Sequence, residues 1–144
     1  MLKGISPLLD GELLRILDKM GHGDEIVLAD AHFPAFAMNR TVLSARGVSV
    51  SSLLDAILAV LPIDTYVADP VVMVDPVPGD SLDAMLVSEC RQSLDRHCQR
   101  TATITFLERF AFYERSRQAF AVVSTGEIRK YGNILLKKGV TVDP

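Results

Sequence analysis

Hydrophobic positions along this chain fall into short blocks whose period switches repeatedly between helical and extended. Leu13, Leu14, Leu17 and Met20 recur at helical spacing, with Glu12, Arg15, Asp18 and Lys19 on the other face. The pattern predicts an amphipathic helix from Ser6 to Met20, with Asp10 as N-cap and Gly21 as the glycine past its end. Ile26-Val27-Leu28-Ala29 is continuously apolar and partly β-branched, the mark of a strand buried on both faces. It ends at Asp30, and the chain breaks at Pro34. Thr41 to Ser44 predicts another strand. Ser51 or Ser52 is positioned to cap a helix carrying Leu53, Leu54, Ile57, Leu58 and Leu61, stopped by Pro62. Thr65-Tyr66-Val67 and Val71 to Val74 read as strands, Asp75 to Gly79 as a loop, and Ser81 to Cys98 as a helix. Thr103 to Phe106 predicts a strand, and Arg109 to Gln118 a helix with Phe106, Phe110 and Tyr113 along one side. Ala119 to Thr125 and Ile134 to Leu136 complete the strands, separated by a polar turn from Gly126 to Lys130.

Strands that alternate with helices imply an α/β fold. The expected architecture is a single three-layer α/β/α domain over residues 1–144, with a mostly parallel, mixed sheet. No internal repeat, low-complexity tract or long linker divides the 144 residues, a length that suits one core.

Composition narrows the partners. Fifteen Lys+Arg against 18 Asp+Glu give a net charge of −3, so the chain lacks the basic stripe that nucleic acid requires. Nucleic acid is therefore not an expected partner. Apolar runs such as Ala56 to Leu61 fall far short of the ~18 residues needed to span a bilayer, and no membrane association is expected. Met1 to Ile5 lacks the apolar core of a signal peptide, which points to the cytoplasm. Cys90 and Cys98 have neither redox nor zinc spacing and are expected to be reduced and inert. Hydrophobic residues reach 49%, a high share for so small a particle, and the surplus suits a buried subunit interface. His32 to Met38 points the same way, being apolar, broken by Pro34 and outside the periodic elements. Such a segment packs into a neighbouring subunit or walls a pocket.

Ligands in open α/β sheets bind beyond the carboxyl ends of the strands. Polar clusters expected at such places are Gly21-His22-Gly23-Asp24, Asp30-Ala31-His32 and Tyr131-Gly132-Asn133, with Arg109 a fourth candidate. Flanking glycines leave the His22 imidazole open, and histidine exchanges a proton near neutral pH. The same histidine also suits a helix C-terminus for purely dipolar reasons. Asp30 reads equally as a residue that orients a hydroxyl and as an ordinary turn aspartate. His22, Asp24, Asp30 and His32 lack the spacing of a metal motif, so no metal is expected. His97 is expected on a solvated helix face.

The stretches Leu2 to Pro7 and MGHGDEIVLADAHFP from Met20 to Pro34 resemble the ribose pyranase and fucose mutarotase family. RFAFYER from Arg109 to Arg115 and YGNILLKKGV from Tyr131 to Val140 are similar to its fucose mutarotase branch. The likeness spans nearly the whole chain and is weak between about Gly79 and Thr103. It implies an acid/base histidine at His22 and substrate-binding residues at Asp30, Arg109, Tyr131, Gly132 and Asn133. It further implies a cytoplasmic enzyme without cofactors that interconverts the α and β anomers of L-fucose or a related monosaccharide. It implies a ring-based homodecamer with sites near subunit contacts. Pyranose–furanose interconversion of ribose, and sugar binding without turnover, are the alternatives.

Overall fold

A computed structural model describes residues 1–98, 100 and 102–141. Its elements run α1 (Gly11–Lys19), β1 (Glu25–Ala29), α2 (Ala35–Met38), β2 (Val42–Ala45), α3 (Val50–Leu58) and β3 (Val71–Val74). They continue with α4 (Ala84–His97), β4 (Ile104–Leu107), α5 (Arg109–Gln118), β5 (Ala121–Thr125) and β6 (Ile134–Lys137). The strands form one sheet in the order β2-β5-β1-β6-β3-β4. All neighbours pair in parallel except β6, which is antiparallel to both β1 and β3. The sheet is mixed, as expected.

Strand side chains alternate between two apolar layers. Ile26, Leu28, Val71, Met73, Val123, Ile134 and Leu136 join the buried faces of α1, α3 and α4. Val27, Ala29, Val72, Val74, Val122 and Leu135 instead meet Phe33, Ala35 and Phe112 from the α2 and α5 side. Continuous apolar runs in β1, β3 and β6 follow from this two-sided burial.

Several local expectations need correction. The first helix starts at Gly11, where Asp10 accepts from the Leu13 N–H at 2.8 Å, so the Asp10 cap holds. Gly21 is not a left-handed cap; Gly23 takes that conformation at φ 87°. Ser49, rather than Ser51 or Ser52, caps α3, accepting from the Ser52 N–H. Thr65-Tyr66-Val67 makes no strand, because Asp64 Oδ1 accepts the Tyr66 N–H at 2.9 Å and bends the chain there. Apolar residues 35–38 form one helical turn, not a loop. His97 is largely covered, its Nε2 lying 3.0 Å from Asp55 Oδ1.

Candidate active site

Because β6 runs against its neighbours, its start lies beside the ends of β1 and β3. This brings Tyr131-Gly132-Asn133 next to Asp30 across 103 positions of sequence. The contact is reciprocal. Asp30 N–H donates to Asn133 Oδ1 at 2.9 Å, and Asn133 Nδ2 donates back to Asp30 Oδ2 at 2.9 Å. The Gly132 N–H adds a bond to Oδ2 at 3.1 Å, and the His32 N–H one to Oδ1 at 2.9 Å. Asp30 is only 3% exposed. Burial pushes its carboxyl pKa up, and this outweighs the lowering by the His32 N–H, the Asn133 amide and the His32 charge. The shift moves Asp30 toward the pH range in which general acid–base work is done.

Gly132 is required by space as well as by its N–H. A Cβ there would lie 2.9 Å from the Arg129 carbonyl oxygen and 2.8 Å from Glu127 Cγ. Its neighbour Tyr131 has φ 61°, the left-handed region, which costs a residue with a Cβ about 1–2 kcal/mol. Strain of that kind collects at functional sites. Arg109 enters from the start of α5, which Glu108 caps by accepting the Phe110 and Ala111 N–H groups at 2.9 and 3.1 Å. The Arg109 guanidinium carbon lies 4.8 Å from the centre of the exposed Phe110 ring.

These residues surround a cleft of about 300 Å³ lined by Asp30, His32, Phe33, Val74, Arg109, Tyr113, Lys130, Tyr131 and Asn133. The lining mixes polar groups with an apolar wall in which Phe33 stacks edge-on against Phe112 and Tyr113, with ring centres 6.2 and 5.3 Å apart. A larger cleft of about 460 Å³, between α3 and α4, is lined by serines, Asp55, Glu89 and Arg96 and contains none of the expected site residues.

His22 is elsewhere. Its turn precedes β1, and the adjoining Gly23 N–H donates to the Lys138 carbonyl at the far end of β6. Asp30 and Asn133 stand at the opposite ends of those strands. Five strand residues at ~3.3 Å each separate the two places by roughly 17 Å. The expectation that His22 shares a strand end with Asp30 is thus overturned within one chain. The His22 side chain is 46% exposed, with Nε2 3.3 Å from Asp64 Oδ1 and its ring 5.5 Å from Tyr66. Asp64 is buried; burial raises its pKa, but the Tyr66 N–H and His22 pull it below the usual carboxylate value. It stays an anion that orients the imidazole. Among the described residues, no group of three or more His, Cys, Asp or Glu side chains is arranged to hold a metal ion. No helix among them is long and apolar enough to cross a membrane.

Known proteins share this arrangement of chain. The profile of the RbsD / FucU transport protein family matches residues 3–141. The chain belongs to that family. An L-fucose mutarotase of Haemophilus influenzae (strain PittGG) is 52% identical over 141 residues, covering 98% of each chain. One from Histophilus somni (strain 2336) is 49% identical over the same coverage. Among solved structures, the fucose mutarotase of Streptococcus pneumoniae in complex with L-fucose superposes with a TM-score of 0.93 at 43% identity. That match covers 98% of this chain and all of the other. Bacillus subtilis RbsD complexed with D-ribose shares the fold, at 22% identity and TM-score 0.74.

In this family member, sequence reasoning reached Asp30, Arg109 and residues 131–133, and folding brings them together. It missed Val74, Tyr113 and Lys130 as lining residues, and placed His32 in the Asp30-Ala31-His32 cluster and in a pocket-wall segment without giving it a role of its own. His32 places Nε2 3.2 Å from the Ile128 carbonyl at the mouth of the cleft. Its closeness to Asp30 and its place at the start of the apolar 32–38 segment signalled it. Nothing in sequence marked Val74 or Tyr113, because each reads as ordinary packing.

Proposed function

We propose that this protein is a mutarotase that interconverts the α and β anomers of L-fucose by ring opening and closing. The observation that carries the reading is the cleft's mixed lining. Asp30, Arg109, Lys130 and Asn133 share it with Phe33, Val74, Tyr113 and Tyr131, and a 6-deoxy sugar presents hydroxyls around its ring together with one methyl group. The relatives named as L-fucose mutarotases, and the likeness to a fucose-bound structure, support the same substrate.

The reaction moves only protons and one ring bond. The anomeric hydroxyl loses its proton while the ring oxygen gains one; the C1–O5 bond breaks to give the aldehyde. Rotation about C1–C2 and the reverse steps close the ring on the other face. General acid–base groups near neutrality suffice, and the reading calls for no cofactor. Asp30 and Tyr131 hold hydroxyls or relay protons, and Arg109 fixes sugar oxygens. Gly132 and Asn133 act chiefly as the cradle of Asp30. Of the Asn133 amide, Oδ1 and one N–H are already committed to Asp30, leaving one N–H for a sugar oxygen.

His22 completes this site from a second copy of the chain. Its exposure and its distance from Asp30 in one chain support a site shared across a subunit contact in a homo-oligomer, with the homodecamer as the proposed assembly. The whole chain acts as one domain, and the cytoplasm is the proposed compartment. Saturation-transfer NMR of the anomeric protons of L-fucose tests the activity; absence of catalysed exchange sinks it. Shared sites are tested by complementation. His22→Ala and Arg109→Ala subunits, each slow alone, should regain activity when co-assembled. A mixture no faster than its parents would place His22 outside the site.

A further inference from the structure

Tyr131 is held at its phenol by a residue from the stretch where no sequence motif was legible. Its O–H donates to Asp80 Oδ2 at 2.9 Å, across 51 positions of sequence. Asp80 lies on the loop joining β3 to α4, just after Gly79, which takes a left-handed φ of 88°. Lys130 Nζ stands 2.8 Å from each Asp80 carboxylate oxygen, and the Ser81 N–H donates to Oδ1 at 2.9 Å. With Lys130 first among the causes, followed by the Ser81 N–H and the Tyr131 phenol, the Asp80 pKa is drawn down to about 2. Asp80 is an anion throughout the range in which an acid–base enzyme works.

A phenol has one proton to give, and its oxygen also accepts. With that proton directed to a carboxylate, Tyr131 meets the cleft as an acceptor. A sugar hydroxyl facing it must donate, and the polarised O–H makes the phenol oxygen a better acceptor than a free tyrosine. The Lys130–Asp80 pair is solvent-exposed on the lysine side at 66%, and exposed pairs contribute little to stability. Its consequence falls on Tyr131, whose ring packs against the cluster of Phe33, Val74 and Phe112 while its phenol is tied to Asp80.

We propose that Asp80 is a positioning residue for catalysis, fixing Tyr131 over the cleft as a hydrogen-bond acceptor for the sugar. The inference rests on the reading of Tyr131 as a sugar contact. It assigns a task to the β3–α4 loop, which supplies no lining residue of the cleft yet sets the behaviour of one.

A double-mutant cycle tests it, using L-fucose anomer exchange by NMR and sugar affinity by titration on Asp80→Ala, Asp80→Asn, Tyr131→Phe and the Asp80→Ala/Tyr131→Phe double variant. Loss of a hydrogen bond to a charged group predicts exchange about tenfold slower in Asp80→Ala. Affinity should fall as well, because Tyr131 is read as a sugar contact. Asp80→Asn keeps an acceptor oxygen and should recover part of the rate. In the Tyr131→Phe background, Asp80→Ala should cost nothing more. If Tyr131→Phe is slow but Asp80→Ala is not, or if the two losses multiply, the positioning role is overturned. If Tyr131→Phe exchanges at the wild-type rate, the sugar-contact reading fails as well, which separates the two failures.

Discussion

At the scale of single residues, the proposed site divides into groups proposed to move protons and groups proposed to hold the sugar. His22 is proposed for the first task, so His22→Ala should slow anomer exchange by ~10²–10⁴-fold. Sugar affinity should fall much less, because Asp30, Arg109 and Tyr131 remain. Arg109→Ala should weaken binding at least as much as turnover. Exchange NMR beside titration separates these outcomes; a folded His22→Ala protein with normal exchange would move the acid role to Asp30, Tyr131 or His32. Residue type and local context made Asp30 and His22 legible as candidates. They did not reveal that Asn133 is largely spent on Asp30, since that pairing spans the whole fold.

At the scale of elements, the cleft's apolar wall depends on α5. Phe112 is fully buried beneath Phe33, so Phe112→Ala should destabilise the fold by about 3–5 kcal/mol. Denaturant unfolding measures the loss, and sugar affinity should fall with it as Phe33 and Tyr113 lose their support. The polar turn before β6 is held differently. Glu127, 3% exposed, accepts from the backbone N–H, Nε and a terminal nitrogen of Arg129, whose other terminal bonds reach Glu89. Arg129 lowers the pKa of both carboxyls. A carboxyl depressed on folding adds stability above its unfolded value, ordinarily 4.5 here. That contribution is lost as pH falls through the lower folded value. Melting temperature should therefore drop as pH is lowered below about 4.5, and Glu127→Gln should flatten part of that dependence. An unchanged profile in Glu127→Gln would show that the cluster carries no linkage. Helix α5 and strand β3 were legible to the residue, because their breaks and apolar runs are local. The 65–67 stretch was not: Thr, Tyr and Val favour strands, yet Asp64 captures the Tyr66 N–H and Tyr66 is left 73% exposed.

At the scale of the whole molecule, the α2–α5 side is thinly covered. Phe36 and Phe110 are 71% and 65% exposed there, and Ile128 beside the cleft is 76% exposed. Apolar surface of this kind marks an interaction face, and with the distant His22 it supports assembly into a homo-oligomer. Light scattering at micromolar concentration should report several copies per particle; a monomer would sink both the assembly and the shared site. The sequence by itself determined the α/β class, the buried strands and most of the site's residue types, because two-sided burial and chain breaks are written in neighbouring positions. Only the tertiary structure decided which of those residues meet. The antiparallel insertion of β6 between β1 and β3 carries Asn133 to Asp30 and leaves His22 at the other end of the sheet. Strand direction and order depend on contacts between segments a hundred residues apart, and no local pattern encodes them.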